Sequence, residues 1–175
     1  MERNMKYLLY ILIASALVLL SACSSSDESS QAKQEKAGEG GGLTAFQLEN
    51  GIGPITEKLN VGEIDPAKVK KGEATFVAKC APCHKLDKRL VGPALRYVTK
   101  RRSHEYILNM ILNPTGMVKE HPEAKKVLAE YLSPMTDMNL TKEQALELLD
   151  YLRSVRKEGE EKKIPEVPLF RSAQP

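Results

Sequence analysis

Apolar residues along the chain fall into one continuous block, residues 7–20, and several shorter periodic runs. Between the block and the first run, residues 24–42 (SSSDESSQAKQEKAGEGGG) carry no apolar period. Such a stretch buries too little surface to offset its ordering entropy and is expected to be a disordered tether. Residues 43–67 mix scattered apolar side chains with Gly, Pro and Asn, which predicts an extended arm lying on a domain surface. Asp65 then caps a helix opened by Pro66, with Val69, Gly72, Phe76 and Val77 sharing a face. Ser103 caps a shorter run bearing Tyr106, Ile107, Met110 and Ile111, closed by Asn113-Pro114, and Pro122 opens another with Val127, Leu128 and Tyr131. Thr141 and Gln144 form a capping box ahead of Ala145, Leu148, Leu149, Leu152 and Val155. Gly72 has no side chain, so the first and last of these helices are expected to approach closely near Phe76 and Tyr151. No stretch alternates with a two-residue period, and the pattern predicts an all-α fold.

Composition narrows the picture. The 175 residues include no Trp, three Phe and six Tyr, and the apolar total of 42% is partly spent on the leading block. One small domain with appendages fits this length, and a large multidomain enzyme does not. Three cysteines cannot all pair within one chain, so each needs its own explanation.

Arg3 and Lys6, the apolar block, and then Leu20-Ser21-Ala22-Cys23 give the three parts of an export signal. The last four residues resemble the lipobox of bacterial lipoproteins. That resemblance implies cleavage before Cys23, which becomes a lipid-bearing N-terminus. An uncleaved membrane anchor is the competing reading, but about 14 apolar residues fall short of the roughly 20 that span a bilayer. In both cases the rest of the chain lies outside the cytoplasmic membrane. A tether of about 19 residues reaches on the order of 25 Å.

Cys80-Ala81-Pro82-Cys83-His84 carries the candidate chemistry. C-x-x-C-H is the attachment pattern of c-type haem, two thiols one helical turn apart for the two vinyl groups and a histidine for the iron. A thioredoxin-like pair calls for a βαβ context, which the pattern lacks, and a zinc site calls for a second ligand pair that the remaining cysteine cannot supply.

Together with Val91-Gly92-Pro93-Ala94-Leu95, a methionine-bearing loop and the Leu149-Asp150-Tyr151-Leu152 run of the last helix, this chain from about Val69 to Val155 resembles the small class I bacterial cytochromes c. The runs CHKLDKRLVGPAL, KRRSHEYI and PMTDMNLT are similar to those of monohaem lipoprotein cytochromes found with nitrous oxide reductase or terminal oxidase systems. The resemblance implies a cytochrome c-like helical domain around one haem c, attached through Cys80 and Cys83 with His84 as proximal ligand. It implies that the Pro93 carbonyl fixes the His84 ring and that Leu95 packs on the haem face. It places the distal thioether in a loop before the last helix, which selects Met135 after Pro134, with Met138 in the same loop as the alternative. Met110 is expected in the core, Met117 as a pocket wall, and His104 and His121 at helix starts or on the surface. With two axial ligands the haem exchanges electrons. An open position would instead suggest peroxidase or gas-binding activity.

Lys79, Lys85, Lys88, Arg89, Arg96, Lys100, Arg101 and Arg102 face only Asp87 within their stretch, whereas residues 24–67 are acidic. A basic rim of this kind suits a redox partner with an acidic docking surface. No aromatic platform interleaves these charges, so nucleic acid is not expected. The reading is a signal peptide at 1–22, a lipid-anchored linker at 23–42, an arm at 43–67, a cytochrome c domain at 68–157 and an extended tail at 158–175. Its function would be one-electron transfer, without enzymatic activity, between a quinol-oxidising complex and a terminal reductase or oxidase on the periplasmic or outer face of the membrane. A fixed haem subunit of a larger respiratory complex is the further alternative. The scarcity of aromatics fits, because the haem itself would supply the flat apolar bulk.

Overall fold

Gly72 lies where the first and last long helices cross. The computed structural model describes residues 42–171. The signal peptide at 1–22, Cys23 and all of the linker but Gly42 lie outside the described residues. Among the described residues there are seven α-helices and no strand: α1 (Ala45–Asn50), α2 (Pro66–Thr75), α3 (Val98–Arg101), α4 (His104–Leu112), α5 (Pro114–Glu120), α6 (Pro122–Tyr131) and α7 (Lys142–Glu161). None of them is long and apolar enough to cross a membrane.

Local chemistry explains most of the starts. Asp65 accepts from Ala67 N–H at 2.8 Å ahead of Pro66, Ser103 accepts from Tyr106 N–H at 3.1 Å, and Thr141 and Gln144 exchange reciprocal bonds at 3.2 and 3.0 Å. These satisfy donors that a helix N-terminus otherwise leaves open.

A Cβ on Gly72 would collide with the backbone carbonyl of Glu147 and come within 2.9 Å of Tyr151 Cβ. The absence of that atom lets α2 and α7 touch backbone to backbone. Phe76 and Tyr151 then meet with ring centroids 5.3 Å apart and tilted by 47°. Their surroundings form the main core, with Ile107, Leu108, Leu148, Leu149 and Leu152 among its buried members.

Several expectations are corrected. The arm at 43–67 is not wholly extended: Thr44 and Gln47 form a second capping box that starts α1. The arm is also fastened. Asn109 donates to the carbonyls of Asn50 and Ile55 at 3.0 and 2.9 Å and accepts from Ile55 N–H at 2.9 Å, while Glu105 accepts from Leu59 N–H at 2.8 Å. Helix α7 runs on to Glu161, past the boundary expected at 157, with Gly159 buried against Arg96 and Tyr97. Pro114, read as a closure, instead opens α5, where its missing N–H costs nothing. Val77 is 63% exposed, because α2 widens into a π-helical turn over Phe76–Cys80 and the buried face narrows to Val69, Gly72 and Phe76.

Candidate haem site

The pentapeptide begins where the π-helical turn ends. Ala81 N–H reaches Phe76 O at 2.8 Å, and the N–H groups of Cys83 and His84 both return to Cys80 O, at 3.1 and 2.8 Å. This closed turn sets Cys80, Cys83 and His84 along one side. Cys80 is half-buried and Cys83 exposed, and both line one cavity.

The following loop folds back on the pentapeptide. Gly92 N–H donates to Cys83 O at 2.9 Å, and Leu95 and Arg96 N–H donate to Lys85 and Leu86 O at 3.0 and 3.1 Å. These bonds bring Pro93 O to 2.9 Å from His84 Nδ1. A carbonyl only accepts, so Nδ1 carries the ring proton and Nε2 is left with its lone pair. Gly92 sits flat against the ring: a Cβ there would lie 2.8 Å from Nδ1 and 3.0 Å from Nε2.

Cys80, Cys83, His84, Pro93, Leu95 and Met135 all line one cavity of about 240 Å³, walled mainly by apolar side chains. Met138 and Met110 line it too. Met135 is packed against the main core and Met138 is not. Met117, expected as a pocket wall, is fully buried elsewhere, where its sulfur accepts from Ile52 N–H at 3.0 Å and Gly51 closes over it. His121 starts α6 as expected, accepting from Glu123 N–H as its N-cap, but it is fully buried rather than on the surface, against Leu48 O and edge-on to Tyr106. Neither it nor His104 lines the cavity.

Titration behaviour agrees with a metal-ready imidazole. Burial holds His84 below its ordinary value, partly opposed by the Pro93 bond, which keeps the ring neutral and able to bind a metal. Burial, with Cys83 adding to it, pushes the Cys80 thiol up to about 11. The nucleophilic thiol of a redox-active pair is shifted the other way.

These residues fit a haem. Two free thiols a turn apart, an imidazole with its outer nitrogen free, a thioether and an apolar enclosure match its vinyl groups, its iron and its flat faces.

Arg101, Arg102, Tyr131 and Leu169 also line the cavity and went unrecognised in the sequence. The two arginines belong to the basic run, which the sequence alone presents as a docking rim. That rim is largely neutralised within the domain. Arg96 is buried between Asp87 and Glu158, Arg89 pairs with Glu130, Lys100 and Arg101 with Glu166, and Arg102 with Glu123. All of these carboxylates except Asp87 come from distant segments, which a local charge count does not see. Lys79 and Lys88 remain exposed and form no ion pair among the described residues.

Residues 69–156 match the profile of the family described as cytochrome c. Among solved structures the chain is similar to a cytochrome c from Rhodothermus marinus, at 47% identity and a TM-score of 0.61, over 64% of this chain and 97% of that one. It is similar as well to an engineered cytochrome c from the same organism, Rma TDE, at 45% identity and a TM-score of 0.60, over 63% of this chain and 96% of that one. No curated protein matches.

Proposed function

The chain belongs to the cytochrome c family, and on that premise we propose that it is a lipid-anchored, one-electron carrier whose single haem is ligated by His84 and Met135. The observation that carries this reading is the convergence of Cys80, Cys83, His84 and Met135 on one apolar cavity, with His84 tied to Pro93. Haem c, held through Cys80 and Cys83, supplies a metal centre that gains or loses one electron.

The chain's own residues do the rest. The Pro93 carbonyl holds the Nδ1 proton and so fixes both the tautomer and the plane of the imidazole. Gly92 keeps that plane free of side-chain bulk. Met135, seated against the core, would hold the iron through its thioether together with His84, which would leave no open site for oxygen or peroxide. The apolar wall, including Leu95, Ile107 and Leu152, excludes water and favours the less charged, reduced state.

The partners we assign are a quinol-oxidising complex as donor and a terminal reductase or oxidase, nitrous oxide reductase included, as acceptor. Lys79, which lines the cavity beside Cys83, and the exposed Lys88 support docking on an acidic surface, though with fewer free charges than the bare sequence offers. Cys23 in its Leu-Ser-Ala-Cys context supports lipidation, with the haem domain held on the periplasmic or outer face of a membrane by the residue 23–42 linker.

Potentiometric titration of the full holoprotein tests the carrier role. The expected result is one single-electron transition and no reaction of the reduced protein with carbon monoxide. Rapid carbon monoxide binding would replace the carrier reading with that of an open, gas-binding or peroxidase-like haem. Incorporation of labelled palmitate into the wild type but not into Cys23→Ala tests the anchor.

A further inference from the structure

The segment after α7 is gripped at four points. Ile164 O accepts from Tyr97 Oη at 2.5 Å, Glu166 pairs with Lys100 and Arg101 at 3.0 Å each, Leu169 O accepts from Arg89 and from Tyr131 Oη at 2.9 Å each, and Arg171 N–H donates to Glu130 at 3.1 Å. Pro165 and Pro168 have no N–H to satisfy, which suits a non-helical segment laid on a surface. Three of the participants, Arg101, Tyr131 and Leu169, are themselves part of the cavity wall.

Arg89 holds the arrangement together. Its guanidinium donates to Leu169 O and to Glu130 at 2.6 Å, and stacks 4.2 Å over the Tyr131 ring. Arg89 follows the haem-attachment turn, Glu130 and Tyr131 end α6, and Leu169 is in the tail, so one side chain joins three segments, two of which line the cavity through Tyr131 and Leu169. Both members of the Arg89–Glu130 pair are under one-fifth exposed, where a single charge-assisted hydrogen bond is less screened than at an open surface.

We propose that residues 164–171 form a strap that closes one side of the haem cavity, with Arg89 as its clasp, and that this strap restricts entry of water and small anions to the haem. The proposal rests on the haem-carrier reading above. It takes the tail out of consideration as a free partner-binding peptide, because its acid and its carbonyls are already engaged within the domain.

The test compares oxidised holoprotein of the full chain, a chain ending at Lys163, and the full-length double variant Arg89→Gln/Tyr131→Phe, with cyanide as the probe. Loss of the strap is expected to speed cyanide binding by on the order of tenfold or more, since opening fluctuations that the strap suppresses then become frequent. The reduction potential is expected to fall as water reaches the cavity. The double variant should shift both quantities in the same direction by less, and it decides the matter if the short chain does not fold. Unchanged cyanide rates and potential in the variants that fold would overturn the strap. If instead full-length protein lacks a sulfur-to-iron charge-transfer band while the strap variants still bind cyanide faster, the axial assignment fails and the strap stands.

Discussion

His84 Nδ1 and the carbonyl oxygen of Pro93 are 2.9 Å apart, although nine residues separate them in the chain. Gly92, next to Pro93 in the chain, lies against the imidazole itself. Gly92→Ala would place a methyl group on the ring and force either the imidazole or the loop to move. Overpacking of this sort costs about 1–3 kcal/mol, and here it also lengthens the bond that orients the ligand. Thermal unfolding and the reduction potential of the holoprotein should both change. A potential equal to wild type would show that the ring's setting does not depend on this contact.

Gly72→Ala acts at the other end of the core. The added atom meets the Glu147 backbone rather than a flexible side-chain tip, so α2 and α7 must separate. The expected loss is about 2–4 kcal/mol in urea unfolding, even though alanine is the better helix former by about 1 kcal/mol. A stabilised variant would mean that the two helices do not touch here.

Asn109 fastens the arm through three hydrogen bonds to Asn50 and Ile55. Asn109→Asp keeps an acceptor for Ile55 N–H but turns an oxygen toward two carbonyls. It should therefore destabilise the fold by at least as much as Asn109→Ala, each by about 2–4 kcal/mol. Hydrogen exchange localised to residues 45–59 would report the released arm.

Acid should loosen the strap. Glu130 lies below its ordinary value of 4.5, first because Arg171 N–H donates to it and then because of Arg89, with burial acting in the opposite direction. A carboxylate depressed in the folded state contributes its stabilisation above the unfolded value and loses it as pH falls through the lower folded value. The melting-temperature difference between wild type and Glu130→Gln should therefore be full above pH 4.5 and vanish at lower pH. A difference independent of pH would assign Glu130 a packing role only.

The parts of this molecule legible in the sequence are those specified within a few residues. Asp65-Pro66, Thr141 with Gln144 and the pentapeptide state their own local geometry, and Gly72 with Phe76 announces a close helix crossing. What could not be read depends on partners far along the chain. Asn109 looks like an ordinary polar residue on a helix until the arm folds onto it from 54 or more residues away. The basic run reads as a docking face until Glu123, Glu130, Glu158 and Glu166 arrive from later segments to neutralise it. The helix start at His121 is legible, but its burial is not, because periodicity reports which residues of a segment are apolar, not what covers its polar ends. Met135 and Met138 share one loop and one cavity, and only the packing of Met135 against the core separates them.

The proposed ligation of the iron by His84 and Met135 would make this chain a carrier, and the sulfur-to-iron charge-transfer band of the oxidised holoprotein reports it directly. The band should be present in wild type, lost in Met135→Ala and retained in Met138→Ala. Loss in Met138→Ala with retention in Met135→Ala would contradict the assignment, and absence of the band from the wild type would contradict the carrier account itself.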